Sequence, residues 1–162
     1  MWNALCLRRL LPDRALDPAV GASLTNGSFE HPHAGTGFDW RMAKAAWLEF
    51  VQFDGGMRLT LSGNQPERCL LASQYVPVLA GSRYRLRLAP APSGKPATDG
   101  LDWMVYEPPG RALATQRSSG GWLEFTAPGD VVRLELIYQR PLGSTRLAGT
   151  VTIAGVQLEL AR

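Results

Sequence analysis

Short stretches in which apolar and polar residues alternate follow one another after residue 23. In residues 83–89 the even positions are apolar and the odd ones are mostly arginine, and residues 131–139 alternate with the same period. A period of two is typical of a strand with one buried face. Glycine and proline separate these stretches, as expected of turns. The pattern predicts eight or nine strands: Leu24–Glu30, Trp47–Phe53, Met57–Ser62, Ser73–Val78, Arg83–Ala89, Leu101–Glu107, Trp122–Thr126, Val131–Gln139 and Gly149–Leu160.

The last of these stretches changes phase in the middle. Its apolar residues occupy odd positions up to Ile153 and even positions from Val156 onward. A regular strand with this sequence would expose half of its apolar side chains. We therefore predict a β-bulge or a strand break at Ala154 and Gly155.

The number and spacing of these strands favour an all-β fold, a two-sheet antiparallel jelly-roll sandwich. Before it, apolar positions at Leu7, Leu10 and Leu11 predict a short amphipathic helix within residues 2–11, which Pro12 limits. A helix of this length is marginal in water by itself. We predict a helix and linker in residues 1–22 and a sandwich domain in residues 23–162.

Composition narrows the class of protein. The 162 residues suffice for one domain, and 17 basic against 14 acidic residues, without a block of like charge, argue against nucleic-acid binding. No apolar run reaches the roughly 20 residues that a transmembrane helix needs, so no membrane insertion is expected. No signal peptide is apparent, so as written the chain is expected to be cytoplasmic, or else a segment of a longer protein whose export signal lies elsewhere. The two cysteines give no metal spacing and are expected to be free thiols.

Evidence for catalysis is weak. His31 and His33 are the only histidines, and Pro32 separates them, which is a poor metal-ligand spacing. Acid pairs such as Asp99 with Asp102, or Glu124 with Glu135, have the chemistry of a glycosidase dyad, but the sequence does not specify their separation. We expect no catalytic residue, no cofactor and no metal.

A polar face accompanies the apolar one in three of the predicted strands. If these strands are neighbours in one sheet, the face has two interpretations. One is a solvated cross-strand ladder of ion pairs, and the other is a groove in which guanidinium and amide groups hydrogen-bond a hydroxyl-rich ligand while an aromatic ring stacks on it. Its members are Arg85, Arg87, Asp102, Met104, Tyr106, Arg133, Glu135 and Gln139.

Five segments in order carry a resemblance to a known family: LTNGSFE, GFDW, SQYVPVLAGSRYRLRL, LDWMVYEPPGRAL and GTVTIAGVQLEL. Together they resemble the carbohydrate-binding-module group with a galactose-binding-like jelly roll, of the cellulose- and xylan-binding type. The chain is also similar to modules of this type that follow tetratricopeptide-like arrays in some bacterial proteins. The resemblance implies a noncatalytic module that binds a polysaccharide or glycan on a polar concave sheet face.

The resemblance also suggests which residues to examine. The aromatic candidates for stacking on sugar are Tyr106, Trp40 and Trp47, and the candidates for hydrogen bonding are Arg85, Arg133 and Gln139. Where the family often places a calcium-binding aspartate in the last strand, this chain has Ala154 and Gly155, so no metal is expected.

A second function stays open beside glycan binding. The chain would then be an interaction or structural module that packs against a helical repeat region in the same or another protein. This alternative predicts an exposed apolar patch near Trp2, Leu7 and Leu11.

Overall fold

A computed structural model describes residues 1–11, 14–21, 23–53, 56–88, 100–117 and 121–161, without the side chains of residues 88, 116 and 117. One helix, α1 (Trp2–Leu7), and a 3-10 turn (Pro18–Val20) precede the strands. Among the described residues no helix is long and apolar enough to cross a bilayer. The strands are β1 (Arg41–Met42), β2 (Leu48–Phe53), β3 (Gly56–Ser62), β4 (Arg68–Pro77), β5 (Arg83–Leu88), β6 (Leu101–Glu107), β7 (Arg111–Arg117), β8 (Gly121–Thr126), β9 (Val131–Gln139), β10 (Ala148–Ile153) and β11 (Val156–Leu160).

The strands form three antiparallel sheets that share one core. A five-stranded sheet has the order β1-β4-β9-β6-β7, and two three-stranded sheets have the orders β10-β3-β2 and β11-β5-β8. Buried side chains from all three belong to one cluster, so the molecule is the all-β sandwich that alternation predicts. The predicted break at Ala154 and Gly155 is confirmed, because β10 ends before these residues and pairs with β3, whereas β11 begins after them and pairs with β5.

Strands β1 and β7 were not predicted from the sequence, and the predicted strand Leu24–Glu30 does not form. β1 is two residues long, and the small residues of β7 (RALATQR) give little hydrophobic contrast. Leu24–Glu30 was predicted as the first strand, and this is wrong: Asn26 and Phe29 have positive φ of 44° and 58°. The Asn26 side chain closes the loop by donating to the His31 carbonyl (2.6 Å) and accepting from the His31 N–H (3.1 Å).

The core is built around aromatic rings. The Trp40 ring centre lies 5.2 Å from that of Phe29 and 5.9 Å from that of Trp103 in β6. The Trp40 indole N–H donates to the Asn26 carbonyl at 3.1 Å, so its polar atom is satisfied where the ring is buried. This cluster ties the loop of residues 24–40 to the inner side of the five-stranded sheet.

Helix α1 is shorter than predicted and turns a different side to the domain. Its buried residue is Cys6, while Leu7 and Leu10 are 77% and 67% exposed. The predicted stripe through Leu7, Leu10 and Leu11 is therefore not the side that packs on the domain, and Leu7 and Leu10 face solvent. Trp2 contacts Phe38 edge-to-face, with ring centres 6.0 Å apart.

Candidate functional site

The outer side of the five-stranded sheet carries a row of large polar side chains. In the register of β4, β9 and β6, Tyr75 lies opposite Arg133, and Arg133 lies opposite Tyr106. Each of these residues alternates with buried neighbours that enter the core. We call this surface the Tyr75–Tyr106 face. It consists of Arg41, Arg68, Tyr75, Met104, Tyr106, Arg133 and Glu135.

Arg133 is the centre of this face. Its guanidinium carbon lies 5.5 Å from the centre of the Tyr106 ring, a cation–π distance, and its Nη2 is 2.8 Å from a carboxylate oxygen of Glu135. Glu135 is only 8% exposed although it points outward. Arg133 Nε is buried, and no acceptor in the described part of the chain reaches it. The centre of the face is therefore ordered, and one of its donors is unused.

Arg68 is the first residue of β4, and its side chain extends across the face. Its Nη2 donates to Tyr106 Oη at 3.3 Å and lies 3.9 Å from Met104 Sδ, and the Tyr106 hydroxyl in turn donates to Met104 Sδ at 3.1 Å. A β-bulge makes this possible. The pairing of β4 with β9 shifts between Leu70 and Ala72, so Arg68 shares the outer side with Tyr75 although the two are seven positions apart, an odd spacing that would put them on opposite sides of a regular strand.

Arg41 closes the opposite end of the row. It lies in the edge strand β1, where its guanidinium carbon is 5.0 Å from the centre of the Tyr75 ring. Its Nη2 donates to the carbonyl of Gly37 at 2.8 Å. Tyr75 and Tyr106 thus each have a guanidinium against the ring, while both remain half-buried and partly open to solvent.

Arg85, which the sequence grouped with this row, lies elsewhere. β5 belongs to the sheet β11-β5-β8, so the predicted grouping of Arg85 with Tyr106 and Arg133 is wrong. Arg83 and Arg85 both bind Glu124, at 2.5 and 2.6 Å, and Arg85 lies 4.9 Å from the centre of the Trp122 ring. We call this surface the Arg85–Trp122 face. Its members are Arg83, Arg85, Arg87, Trp122 and Glu124.

The contacts with Arg83 and Arg85 lower the pKa of the Glu124 carboxyl group. Its pKa is held below the ordinary value chiefly by the hydrogen bond from Arg85; desolvation opposes this lowering, and the charges of Arg83 and Arg85 add to it. The Trp122 ring is 44% exposed, and Arg87 lies 5.5 Å from its centre. This arrangement is the solvated ladder of the first interpretation.

The remaining candidates divide between core and surface. Trp40 is fully buried, which corrects its assignment as a stacking platform, because no ligand reaches its ring. Trp47 is half-buried and packs against the core. Gln139 is exposed at the end of β9, opposite Arg68, and so borders the Tyr75–Tyr106 face.

Three members of this face were missed in the sequence. Tyr75 had a usable signal, because residues 74, 76 and 78 are apolar or amide side chains that enter the core and Tyr75 alternates with them. Arg68 had none, since the bulge reverses its phase. Arg41 had none either, because a two-residue strand has no periodicity.

The catalytic alternatives find no support in the geometry. Glu124 and Glu135 lie in different sheets, and each is bound by arginine. Asp99 lies outside the described residues. Within the described ranges no three His, Cys, Asp or Glu side chains form a group able to hold a metal ion. Cys69 is half-buried, and desolvation raises the pKa of its thiol, which makes it a poor nucleophile.

A depression of about 380 Å³ also lies at the loop end of the sandwich, lined by Glu30, Pro32, Gln52 and Phe53. The Gln52 amide donates to the carbonyls of Phe29 and His31, at 3.2 and 2.6 Å. Its polar donor is therefore already used within the fold. For this reason the Tyr75–Tyr106 face is the better candidate site.

Comparison with known proteins gives little beyond this geometry. No family model and no curated protein sequence matches the chain. Among solved structures it is similar to the crystal structure of accessory secretory protein 1, 2 and 3 in Streptococcus pneumoniae. The alignment has 15% identity and a TM-score of 0.48, and it covers 72% of this chain and 87% of that one. A similarity of this extent carries no functional information.

Proposed function

We propose that this chain is a noncatalytic module that binds a polysaccharide or surface glycan on the Tyr75–Tyr106 face. The observation that carries the proposal is the outward row Tyr75–Arg133–Tyr106, in which two tyrosine rings flank a guanidinium across three adjacent strands. With strands about 4.8 Å apart, the two tyrosines are separated by about 10 Å. That spacing is suited to an extended ligand rather than to a single small group.

The chemistry of the row matches the needs of a sugar. Tyrosine rings offer an apolar surface to the C–H groups of a pyranose and a hydroxyl at the edge. Arg133 adds a guanidinium group that lies against the Tyr106 ring and belongs to a partly exposed side chain. The cost of ordering these side chains is reduced because Glu135 and Arg68 already hold Arg133 and Tyr106.

The test is affinity electrophoresis against a panel of neutral and acidic soluble polysaccharides. We expect retention by at least one of them, and Tyr106→Ala and Tyr75→Ala each to weaken it about tenfold, the effect of losing about 1.4 kcal/mol. Trp122→Ala is the matched control, because it removes a partly exposed aromatic from the other face. No retention by any polymer, or equal loss in all three variants, would refute the proposal.

A second function has its own observation. Leu7 and Leu10 of the N-terminal segment are exposed, as an interaction module that packs against a helical repeat region requires. Trp2 is partly covered by Phe38, so the patch is smaller than the sequence predicts. Concentration-dependent association that Leu7→Glu with Leu10→Glu abolishes, in gel filtration, would favour this function over glycan binding.

A further inference from the structure

The guanidinium groups of the Tyr75–Tyr106 face do not all have a carboxylate partner. Three guanidinium groups lie on it, and Glu135 neutralises only that of Arg133. Arg68 contacts a hydroxyl and a thioether, and Arg41 contacts two backbone carbonyls and a ring. In the described part of the chain no carboxylate lies within 4.0 Å of the Arg41 or Arg68 guanidinium.

A second acidic residue on this side of the sheet, Asp102, does not remove the excess of positive charge. Asp102 lies on the outer side of β6, beside Ile137 of β9, and has interactions of its own. Counting it, the side chains of this surface that the structure describes carry three positive charges against two negative ones. Both unmatched guanidinium groups lie at the ends of the tyrosine row, where a ligand that spans the row would meet them.

Donors also outnumber acceptors on this surface. A neutral sugar hydroxyl both donates and accepts, and protein sites usually bind it with carboxylate or amide oxygens as well as with donors. Here the Glu135 carboxylate is already bound to Arg133. Guanidinium groups without an anionic partner match the geometry of a carboxylate, which accepts two parallel hydrogen bonds.

We infer that the glycan bound on the Tyr75–Tyr106 face is acidic, a polysaccharide of uronic acids whose carboxylates pair with Arg68 and Arg41. This inference rests on the proposed function and names its ligand class. The tyrosine rings bind the sugar faces, and the two guanidinium groups select the charge.

The experiment compares polygalacturonate with its carboxyl-reduced form, which has the same linkage and no charge, and with dextran sulfate and dextran. We expect the protein to bind polygalacturonate at least about tenfold more tightly than the reduced polymer, with affinity falling as NaCl rises from about 0.05 to about 0.5 M. Arg68→Gln should weaken binding about tenfold. Arg83→Gln changes net charge equally but lies on the other face, so binding should stay within about twofold.

Each other outcome has a definite meaning. Equal binding of the carboxyl-reduced polymer overturns the inference and leaves glycan binding intact. Binding of dextran sulfate as tight as that of polygalacturonate, with equal losses in Arg68→Gln and Arg83→Gln, overturns it in favour of unspecific charge attraction. If none of the four polymers is retained, and no other polysaccharide is, the proposed function itself fails.

Discussion

The Tyr75–Tyr106 face and the Arg85–Trp122 face carry similar residues in different states. On the Arg85–Trp122 face, Glu124 binds two arginines and Trp122 lies beside two guanidinium groups. On the Tyr75–Tyr106 face, two of three arginines contact only neutral groups, and Glu135 is buried rather than solvated. Counting arginines and aromatics does not distinguish the two surfaces. What distinguishes them is whether each charged group already has a partner.

The largest expected effect on stability distinguishes Trp40, which lies in the core, from Trp122, which lies on the Arg85–Trp122 face. Trp40→Ala should lower the free energy of unfolding by about 3–5 kcal/mol, because it removes a fully buried ring. Trp122→Ala should lower it by less than about 1 kcal/mol, as expected for a partly exposed position. Urea unfolding measures both. Similar losses in the two variants would contradict the separation of core from face.

A smaller effect on the free energy of unfolding should distinguish Glu135 from Glu124. Glu135→Gln should cost about 1–3 kcal/mol of unfolding free energy, since it leaves the half-buried Arg133 without its anion. Glu124→Gln should cause no resolvable loss, because solvent screens an exposed ion pair. The two variants are matched in charge and shape. If Glu124→Gln proved the more destabilising, the description of its face as a solvated ladder would be wrong.

The smallest effect concerns pH. The pKa of Glu124 is lowered in the folded protein from its ordinary value of 4.5, so its ion pairs contribute stability above that value and lose it as pH falls through the folded pKa. NMR titration of the Glu124 side chain should show this low pKa. Arg85→Gln should raise it, because the hydrogen bond from Arg85 is its main cause. Arg133→Gln changes a residue in another sheet and should leave the Glu124 pKa unchanged. A shift of that pKa in Arg133→Gln would show that the two faces are coupled.

Much of the fold could be predicted because alternation is a local property. It identified β5, β6 and β9 and the side of each that enters the core, and the phase change located the break between β10 and β11. It failed for Leu24–Glu30, where two residues with positive φ turn a strand-like pattern into a loop. The candidate site was predicted less well. Tyr106 and Arg133 were found together, whereas Arg85 was placed with them in error.

The sequence by itself determined the fold class and which side chains point outward, because side-chain direction follows from the two-residue period of a strand. Only the tertiary structure decided which outward side chains are neighbours, since strand pairing joins residues far apart in the chain. It separated Arg85 from Tyr106 by placing β5 and β6 in different sheets. It buried Trp40, and through the bulge at Leu71 it turned Arg68 towards the tyrosines. Those pairings are long-range contacts, and no local pattern encodes them.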